Sequence, residues 1–460
     1  MADCYLCIHG HFYQPPRMDP FTGHIPRESD AAPYANWNER ITAECYAPNA
    51  ASGNFEHISF NLGGTLARWL DEHASATYER IVAAEREHWQ IHSIGNGLAQ
   101  PVHHTILPLA RRRDKICQVR WGIASFRCRF GHEPLGMWLP EMAVDYETLE
   151  ILAAEGIRFT ILSDEQVRGN LEAGAGPYQV RLPNGENIAI FVRDRHLSNA
   201  LSFGMPGPAH VGDWIREQIT WRCQQGRLLL IATDGETFGH HQRQGAEVLG
   251  RILEADKAFG YELTTLGLYL RQNPPQAELE VIENSAWSCN HRLARWVTGC
   301  DCTPGESRWK GALRRALDNL ACDLDHLYVR EAARLGATPW RLRDAYIAVV
   351  MGQMDGPTLL TEHDLSHLSR EEIKRLLALL EAQHHRQRMY ASCTFFFEDP
   401  DRLEPCYAIA NGIRALTLTH HATGDDLSHS FRRDLESVVS GKSNLTAADI
   451  FDDLLSRAQV

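Results

Sequence analysis

Two acidic residues in this sequence each end a run of apolar residues. Glu141 lies in GMWLPEMAVD, three residues after Trp138, and Asp234 lies in LLLIATDGETFGHH, directly before Gly235. A carboxylate at the end of a buried strand is costly unless it has a partner or a task, and a neighbouring glycine lets a ligand approach. Paired carboxyl groups suit glycoside hydrolysis, where retaining enzymes place them about 5 to 5.5 Å apart. The alternative is that each carboxylate caps a helix or pairs with an arginine.

A second candidate stretch, CIHGHFYQPP, occupies residues 7–16 and places His9 and His11 at the end of a short apolar run. They are candidates for metal ligation, for sugar binding or for packing. A third polar stretch, Arg193 to His196, either lines a cleft or forms local ion pairs.

The elements that must position these residues alternate between apolar runs and helical patterns over the first 285 residues. Continuous apolar runs favour parallel strands that are buried on both faces. Polar residues follow most of these runs, as they do at the carboxyl end of a β/α barrel. The predicted strands are 5–10, 88–95, 136–141, 158–163, 187–194 and 227–234. The helical spacing of Tyr146, Leu149 and Leu152 predicts a helix before Gly156.

The pattern becomes helical after about residue 285. Apolar residues at helical spacing from Trp309 to Leu327 predict one long helix. Ser369 and Glu372 have the spacing of a capping box, which predicts that a second helix begins after Ser369. We therefore expect a barrel over residues 1–285 and a helical domain over residues 286–460 that packs on the barrel.

Composition limits the classes of partner. The chain has 460 residues, 44% of them hydrophobic, and a formal net charge of -13, which argues against nucleic acid binding. No apolar run approaches the roughly 20 residues of a membrane span. The N-terminal MADCYLCI has neither a basic segment nor a cleavage site, which predicts a cytoplasmic protein. The scattered cysteines, among them Cys4, Cys7 and Cys223, are expected to be reduced thiols.

Four segments in order identify a family. HGHFYQPPR, QPVHHTILPL, MWLPEMAVD and ATDGETFGHH resemble the successive conserved regions of glycoside hydrolase family 57. WSCNHRLARW and SCTFFFED resemble the helical C-terminal extension of one branch of that family. Tyr13 departs from the family pattern, because many members have a histidine there, and Thr105 replaces a commoner proline.

The resemblance implies an α/β fold with an incomplete (β/α)7 barrel and a retaining mechanism on α-glucans or related α-glycosides. It implies that Glu141 is the nucleophile and Asp234 the general acid and base. It implies no cofactor and no metal, and an α-glucan or oligosaccharide as the partner. The same residues serve amylase, 4-α-glucanotransferase and branching reactions, so the prediction is of a reaction class. The residues expected to bind substrate are His9, His11, Gln14, His104, Trp138, Glu236 and His240, with His9 just outside the motif core.

Two other functions stay open from the sequence. A metal-dependent polysaccharide deacetylase would use one aspartate and two histidines on a divalent ion, although Glu141 would then have no role. The other open function is that of a non-catalytic glucan-binding protein. The presence of both Glu141 and Asp234 argues against it. The candidate ligands for the first are Asp234, His9, His11, His240 and His241.

A separate metal question concerns the four residues Cys289, His291, Cys300 and Cys302. Their C-x-H and C-x-C pairs offer the donor set of a Cys3His zinc site. Their spacing matches no standard zinc finger, so packing of these side chains is the favoured interpretation and zinc the alternative.

Overall fold

The computed structural model describes residues 4–172, 174–223 and 228–458. The chain divides into two compact units. The first takes in the chain up to Gln14, Arg27–Val102 and Ser125–Trp287, and the second takes in Pro15–Pro26, His103–Ala124 and the chain from Ser288 onward. The predicted domain division at residue 285, and the packing of one domain on the other, stay predictions.

The strands all lie in the first unit. They are β1 (Tyr5–Phe12), β2 (Ser59–Leu62), β3 (Gly97–Leu98), β4 (Phe159–Ser163), β5 (Val167–Arg168), β6 (Tyr178–Arg181), β7 (Asn187–Arg193), β8 (Leu228–Asp234), β9 (Glu262–Leu263) and β10 (Glu280–Val281).

Parallel pairing around β1 organises these strands. Strand β1 pairs in parallel with β2, β8 and β9, and β2 pairs with β3. Strand β4 pairs in parallel with β7, while β6 pairs antiparallel to β7 and β5 to β10. Parallel bridges at Gly136 and Met137 join the chain after β3 to β4. Backbone hydrogen bonds through Ala175 and from Asp194 to Leu230 join β7 to β8. The predicted incomplete (β/α)7 barrel is confirmed.

The strand predictions are right where the apolar run is long. Strands β1, β4, β7 and β8 lie within or beside the predicted ranges, with residues 228–232 buried throughout. The predicted strand at 88–95 is wrong, because the helix Ser75–His92 covers most of it. Strand β2 was not predicted, because the short run Ser59–Leu62 contains two polar residues. The predicted strand at 136–141 is reduced to the two bridges, followed by a short 3-10 turn at Pro140–Met142.

Helices cover the barrel strands within the first unit. They are α1 (Trp37–Ile41), α2 (Ala47–Ala51), α3 (Gly64–His73), α4 (Ser75–His92), α6 (Tyr146–Ala154), α7 (Arg195–Phe203), α8 (Val211–Ile215), α9 (Trp221–Cys223), α10 (Gly245–Glu254), α11 (Asp256–Phe259) and α12 (Leu266–Gln272). The helix α5 (Arg112–Phe130) has residues in both units. The helix predicted from Tyr146 is α6, and Asp145 caps its amino end.

The second unit is helical beyond Ser288. Its helices are α13 (Ala294–Val297), α14 (Trp309–Arg334), α15 (Pro339–Ala345), α16 (Ile347–Val350), α17 (Gly356–Glu362), α18 (Arg370–Arg388), α19 (Leu403–Thr423), α20 (Ser428–Leu435) and α21 (Ala447–Ala458). Helix α14 confirms the long helix predicted from Trp309, and Ser369 and Glu372 form the predicted capping box. None of the helices in the described ranges is long and apolar enough to cross a membrane.

One pair of cysteines corrects the sequence-based expectation of reduced thiols. Cys4 and Cys223 form a disulfide, so that expectation is wrong for this pair. Their separation of 219 residues hid the pairing from any local pattern. Cys7 is free and buried, and burial raises the pKa of its thiol far above the ordinary value.

The second unit contains a buried cluster of opposite charges. The carboxylate of Asp114 accepts a hydrogen bond from Arg343 Nη1 at 2.7 Å, and Arg386 Nη1 lies 2.9 Å from its other oxygen. Arg386 also pairs with Asp325 at 3.0 Å. Burial disfavours the charge on Asp114, but Arg386 and Arg343 outweigh it and hold the pKa of Asp114 below its ordinary value.

Replacing Asp114 with asparagine should destabilise the second unit strongly. Asp114→Asn keeps the side-chain shape but leaves the buried guanidinium of Arg343 without its carboxylate, which costs about 3 to 5 kcal/mol. Urea unfolding measures the change in the free energy of unfolding. The control Glu278→Gln neutralises an exposed carboxylate that pairs with Arg181 at 2.7 Å, and it should cost less than about 1 kcal/mol. Equal losses in the two variants would contradict this account of the cluster.

Candidate active site

Strand β1 presents His9 and His11 on one face of the barrel. His9 is fully buried and His11 is 5% exposed. The Cα register sets His11 opposite Asn61 of β2 and opposite Asp234 of β8. Two neighbouring strands therefore supply the polar groups that lie beside the two rings.

Asn61 links the two histidines through hydrogen bonds. Its Oδ1 lies 3.1 Å from His9 Nε2, and its Nδ2 lies 2.9 Å from His11 Nδ1 and donates to Gln100 Oε1 at 2.6 Å. Burial lowers the pKa of His9 to about 3 and that of His11 to about 4. Both rings are therefore neutral at neutral pH.

Trp138 forms an aromatic layer with these histidines. Its ring stacks nearly parallel to His9 and His11, with centroid distances of 5.0 and 4.7 Å. Tyr13 is also nearly parallel to His11, at 5.9 Å. Trp138 is fully buried, and its Nε1 has no hydrogen-bond acceptor in the part of the chain that the structure describes. A buried indole N–H normally has an acceptor.

Glu141 lies directly after this layer, in an uncommon backbone conformation. Its φ is 58° and ψ is 19°, and Met142 follows with a φ of 49°. Left-handed φ values at residues other than glycine cost about 1 to 3 kcal/mol and cluster at functional sites. The side chain of Trp287 donates from Nε1 to Glu141 Oε2 at 3.2 Å, and its backbone N–H donates to Glu141 O at 3.1 Å.

Asp234 ends β8 and interacts electrostatically with Glu141. Burial is the main cause that raises the pKa of Asp234 to about 7, and the carboxylate of Glu141 adds to the shift, whereas Arg193 opposes it. Arg193 is 7% exposed and lies over the ring of Trp287 at 4.8 Å. One carboxyl group therefore holds its proton near neutral pH in the presence of the other.

Glu236 is buried and is held by three donors from the chain. Its Oε1 accepts from Tyr46 Oη at 2.5 Å, from Gln14 Nε2 at 3.3 Å and from the backbone N–H of Tyr13 at 3.2 Å. Burial raises the pKa of Glu236 to about 8 despite these donors. Gln14 also donates to Tyr46 Oη at 3.0 Å. These contacts attach the chain after β1 to the turn after β8.

His240 contacts a short π-helical turn at Thr42–Tyr46. Its Nδ1 lies 2.5 Å from Glu44 Oε2, and its ring meets Trp37 edge-on at 5.7 Å. Gly239 has a φ of +150°, and a Cβ there would lie 2.2 Å from Glu44 O. Only glycine allows residue 239 to come this close to the turn.

The structure brings together most of the residues predicted to form the site. Within the first unit, His9, His11 and Trp138 form one layer, Asp234 interacts with Glu141, and Gln14 with Glu236 forms a network. His104 lies in the second unit, where its Nδ1 is 2.6 Å from Ser392 Oγ. Its predicted role stays a prediction.

Several residues of the site were not found from the sequence. Asn61 lies on the strand that was not predicted, and Tyr46 and Glu44 lie on a π-turn that has no simple sequence signal. Trp287 was not predicted from the sequence as a partner of Glu141. In the stretch from Arg193 to His196, Arg193 interacts with Asp234, whereas Asp194 pairs with Arg222 at 3.0 Å.

The deacetylase alternative requires histidines and Asp234 around one ion. In the described ranges, no group of three or more metal-ligating atoms forms around Asp234. The two ring nitrogens of His9 contact Ser59 and Asn61, and Nδ1 of His240 contacts Glu44. The described contacts therefore do not gather Asp234 and the histidines around one ion.

Comparison with known proteins places two parts of the chain in described families. The family model for glycosyl hydrolase family 57 matches residues 97–281, and a model described as a domain of unknown function (DUF3536) matches residues 306–460. Alpha-amylase 1 of Dictyoglomus thermophilum is 26% identical over 190 residues, which cover 40% of this chain and 26% of that protein. A 1,4-α-glucan branching enzyme of Thermococcus kodakarensis is 24% identical over 277 residues, which cover 42% of this chain and 40% of that protein.

The fold has a solved counterpart. A maltose-forming amylase of exo type from Pyrococcus sp. ST04 superimposes with a TM-score of 0.76 at 15% identity, covering 94% of this chain and 83% of the other. The chain spans between a quarter and two fifths of the length of the two curated relatives that it matches.

Replacing Gly239 should disturb the contact between His240 and Glu44. Gly239→Ala places a methyl group against Glu44 O, and we expect a loss of stability of about 1 to 3 kcal/mol. We also expect changed imidazole nitrogen shifts of His240 in NMR spectra. Gly260→Ala is the control, since its φ is +77° but its Cβ would meet nothing within 4 Å. The same His240 shifts in both variants would show that the close approach at Gly239 does not matter.

Proposed function

Because the chain belongs to glycosyl hydrolase family 57, we propose that it cleaves or transfers the glycosidic bonds of α-glucans with retention of anomeric configuration. The observation that carries this proposal is the pair Glu141 and Asp234. Burial and the charge of Glu141 raise the pKa of Asp234 to about 7. Retaining glycosidases need this asymmetry, with one carboxyl group protonated and the other ionised.

The first step forms a glycosyl enzyme. Ionised Glu141 attacks the anomeric carbon, and the bond from that carbon to the leaving oxygen breaks. Asp234 donates its proton to that oxygen, so the departing sugar leaves as an alcohol. The hydrogen bond from Trp287 Nε1 holds the carboxylate of Glu141 in place for the attack.

The second step releases the sugar. Ionised Asp234 takes a proton from water or from a sugar hydroxyl, and the oxygen of that group attacks the anomeric carbon and displaces Glu141. Water as the acceptor gives hydrolysis, whereas a glucan hydroxyl gives transfer or branching. Arg193 interacts electrostatically with the negative charge that Asp234 carries at this stage.

The aromatic layer supports a role in sugar binding. In this proposal the neutral, stacked rings of His9 and His11 form one wall of the sugar site, with both ring nitrogens of His9 held by Ser59 and Asn61. The Nε1 of Trp138, which has no acceptor among the described residues, offers a donor to a sugar hydroxyl. In this proposal Gln14, Glu236 and His240 also bind or position substrate, and the substrate contact expected of His104 stays a prediction from the sequence. Tyr13 stacks near His11 where many relatives have histidine, so this ring is where a substrate preference of this branch would arise.

A cytoplasmic location is part of the proposal and rests on the sequence alone. The disulfide between Cys4 and Cys223 weighs against it, because such bonds are rare in a reducing compartment. Cell fractionation decides between a cytoplasmic location and an oxidising compartment.

Removing either carboxyl group should abolish turnover of α-glucans. Glu141→Gln removes the nucleophile, and we expect kcat to fall by about a thousandfold or more. Asp234→Asn removes the acid, and it should keep more activity toward glycosides whose leaving group needs no proton. For the wild type, kcat/KM should fall as the pH rises through about 7, because Asp234 then loses the proton it must donate. This alkaline decline should be absent in Asp234→Asn.

The control for both variants is Glu278→Gln, an exposed carboxylate change that should leave kcat unchanged. Wild-type activity of Glu141→Gln on every glucan tested would remove the mechanism. If the wild type binds glucans but leaves them chemically unchanged, the chain is a glucan-binding protein and not an enzyme.

The products distinguish the reactions within the proposed class. We expect incubation with amylose, glycogen and maltooligosaccharides to change the distribution of chain lengths, because the double displacement passes the sugar to water or to a hydroxyl. Separation of the products by length and linkage analysis measure this. Shorter chains indicate hydrolysis, redistributed lengths indicate transfer, and new branch points indicate branching. Unchanged glucans in all three incubations would contradict the proposed substrate class.

A further inference from the structure

Four metal-ligating side chains converge in the second unit, apart from the carboxyl pair. One donor atom from each of Cys289, His291, Cys300 and Cys302 lies within 4.8 Å of all the others. The sequence favoured simple packing of these residues, because their spacing fits no standard zinc finger. The structure assigns them a different role, and we propose that they bind one Zn²⁺ ion.

The distances between the donor atoms fit a tetrahedral ion. Zn–S bonds of about 2.3 Å and Zn–N bonds of about 2.0 to 2.1 Å put two sulfurs about 3.8 Å apart and a sulfur and a nitrogen about 3.6 Å apart. Cys289 Sγ lies 3.6 Å from Cys300 Sγ, and Cys302 Sγ lies 3.4 Å from His291 Nδ1. A disulfide would need about 2.05 Å between the sulfurs. The separations fit ligands around a shared ion, and the distance between the two sulfurs is too long for a disulfide.

The backbone holds the two ligand pairs close to one another. The pair Cys289 and His291 precedes helix α13, and the pair Cys300 and Cys302 follows it. Gly299 has a φ of +84°, and a Cβ there would lie 2.4 Å from Ser307 O. The chain thus turns back after α13 in a conformation that only glycine allows, and this turn returns the second pair to the first.

Two buried cations lie beside the cluster. Lys310 is fully buried and interacts electrostatically with Cys300 and Cys289, and its Nζ donates to Thr303 Oγ1 at 2.9 Å. Arg295 is 7% exposed and donates to the carbonyl oxygen of Cys302 at 2.8 Å. Zn²⁺ with three thiolates and a neutral imidazole has a net charge of 2 − 3 = −1. That charge would offset one of these buried cations, whereas three neutral thiols would offset none.

The donor set selects the ion and its role. Thiolate and imidazole ligands favour zinc over the hard cations Mg²⁺ and Ca²⁺. Four protein ligands fill the tetrahedron, so no position is open for a substrate or a catalytic water. Cys289 is buried while His291 is exposed, which gives the ion a route from solvent. The site is structural and stabilises the loop around α13.

Elemental analysis of the 460-residue protein tests the proposal. The protein is produced without a histidine tag and dialysed against a weak chelator, and zinc is measured by mass spectrometry. We expect about one zinc per chain in the wild type and less than a tenth of that in Cys302→Ser. Cys322→Ser is the matched control, since Cys322 is an exposed free cysteine on α14 outside the cluster. It should keep the full zinc content.

Two further measurements keep the test decisive if Cys302→Ser fails to fold. Exchange of the wild-type ion for Co²⁺ should produce thiolate charge-transfer bands and the visible bands of a tetrahedral site. Chelation should lower Tm and expose Cys300 and Cys302 to alkylation, while alkylation of Cys322 stays unchanged. Zinc below a tenth of the chain concentration in the wild type, zinc lost equally from Cys322→Ser, or a Cys289 to Cys300 disulfide in the purified protein would each overturn the proposal.

Discussion

The parallel pairing of β1 between β2 and β8 is the constraint on which the site depends. This register sets His11 opposite both Asn61 and Asp234. A shift of one residue in either pairing would turn the side chains of a strand to the other face of the sheet. The apolar residues of β1 and β8 fix that register through burial, since Leu6 and Leu230 are fully buried. Burial of apolar groups therefore decides which polar groups meet.

The same burial also shifts the pKa values of the polar groups in the site and so sets their protonation states. His9 and His11 are neutral because water is excluded from them, and Asp234 keeps its proton near neutral pH for the same reason. Arg193 limits the shift of Asp234, because a cation nearby favours the ionised form. The site thus combines desolvation and the charge of Glu141 with one buried cation, and their balance sets the pKa of Asp234.

The elements that could be predicted from the sequence are those with a long apolar run, a clear helical spacing or a capping box. Strands β1 and β8 and helices α14 and α18 follow from run length, helical spacing and a capping box. Strand β2 could not be predicted in this way, because the polar residues Asn61 and Ser59 face the histidines and interrupt its apolar pattern. The apolar run at 88–95 predicts a strand where the end of helix α4 lies, because a short apolar run has no clear period. Local patterns also could not reveal the disulfide of Cys4 with Cys223.

The position of Glu141 shows why chemistry and local preference disagree at this site. Glu141 and Met142 both have left-handed φ values, which a sequence of non-glycine residues does not favour. The segment from Asn284 to Trp287 compensates, because Asn284 N–H donates to Val144 O at 2.7 Å and Val144 N–H donates to Ser285 O at 3.2 Å. Together with the two bonds from Trp287 to Glu141, these contacts hold the strained turn at both ends. The strain is therefore supported by residues more than a hundred positions away, which explains why GMWLPE alone predicts a strand, whereas the segment ends in a turn.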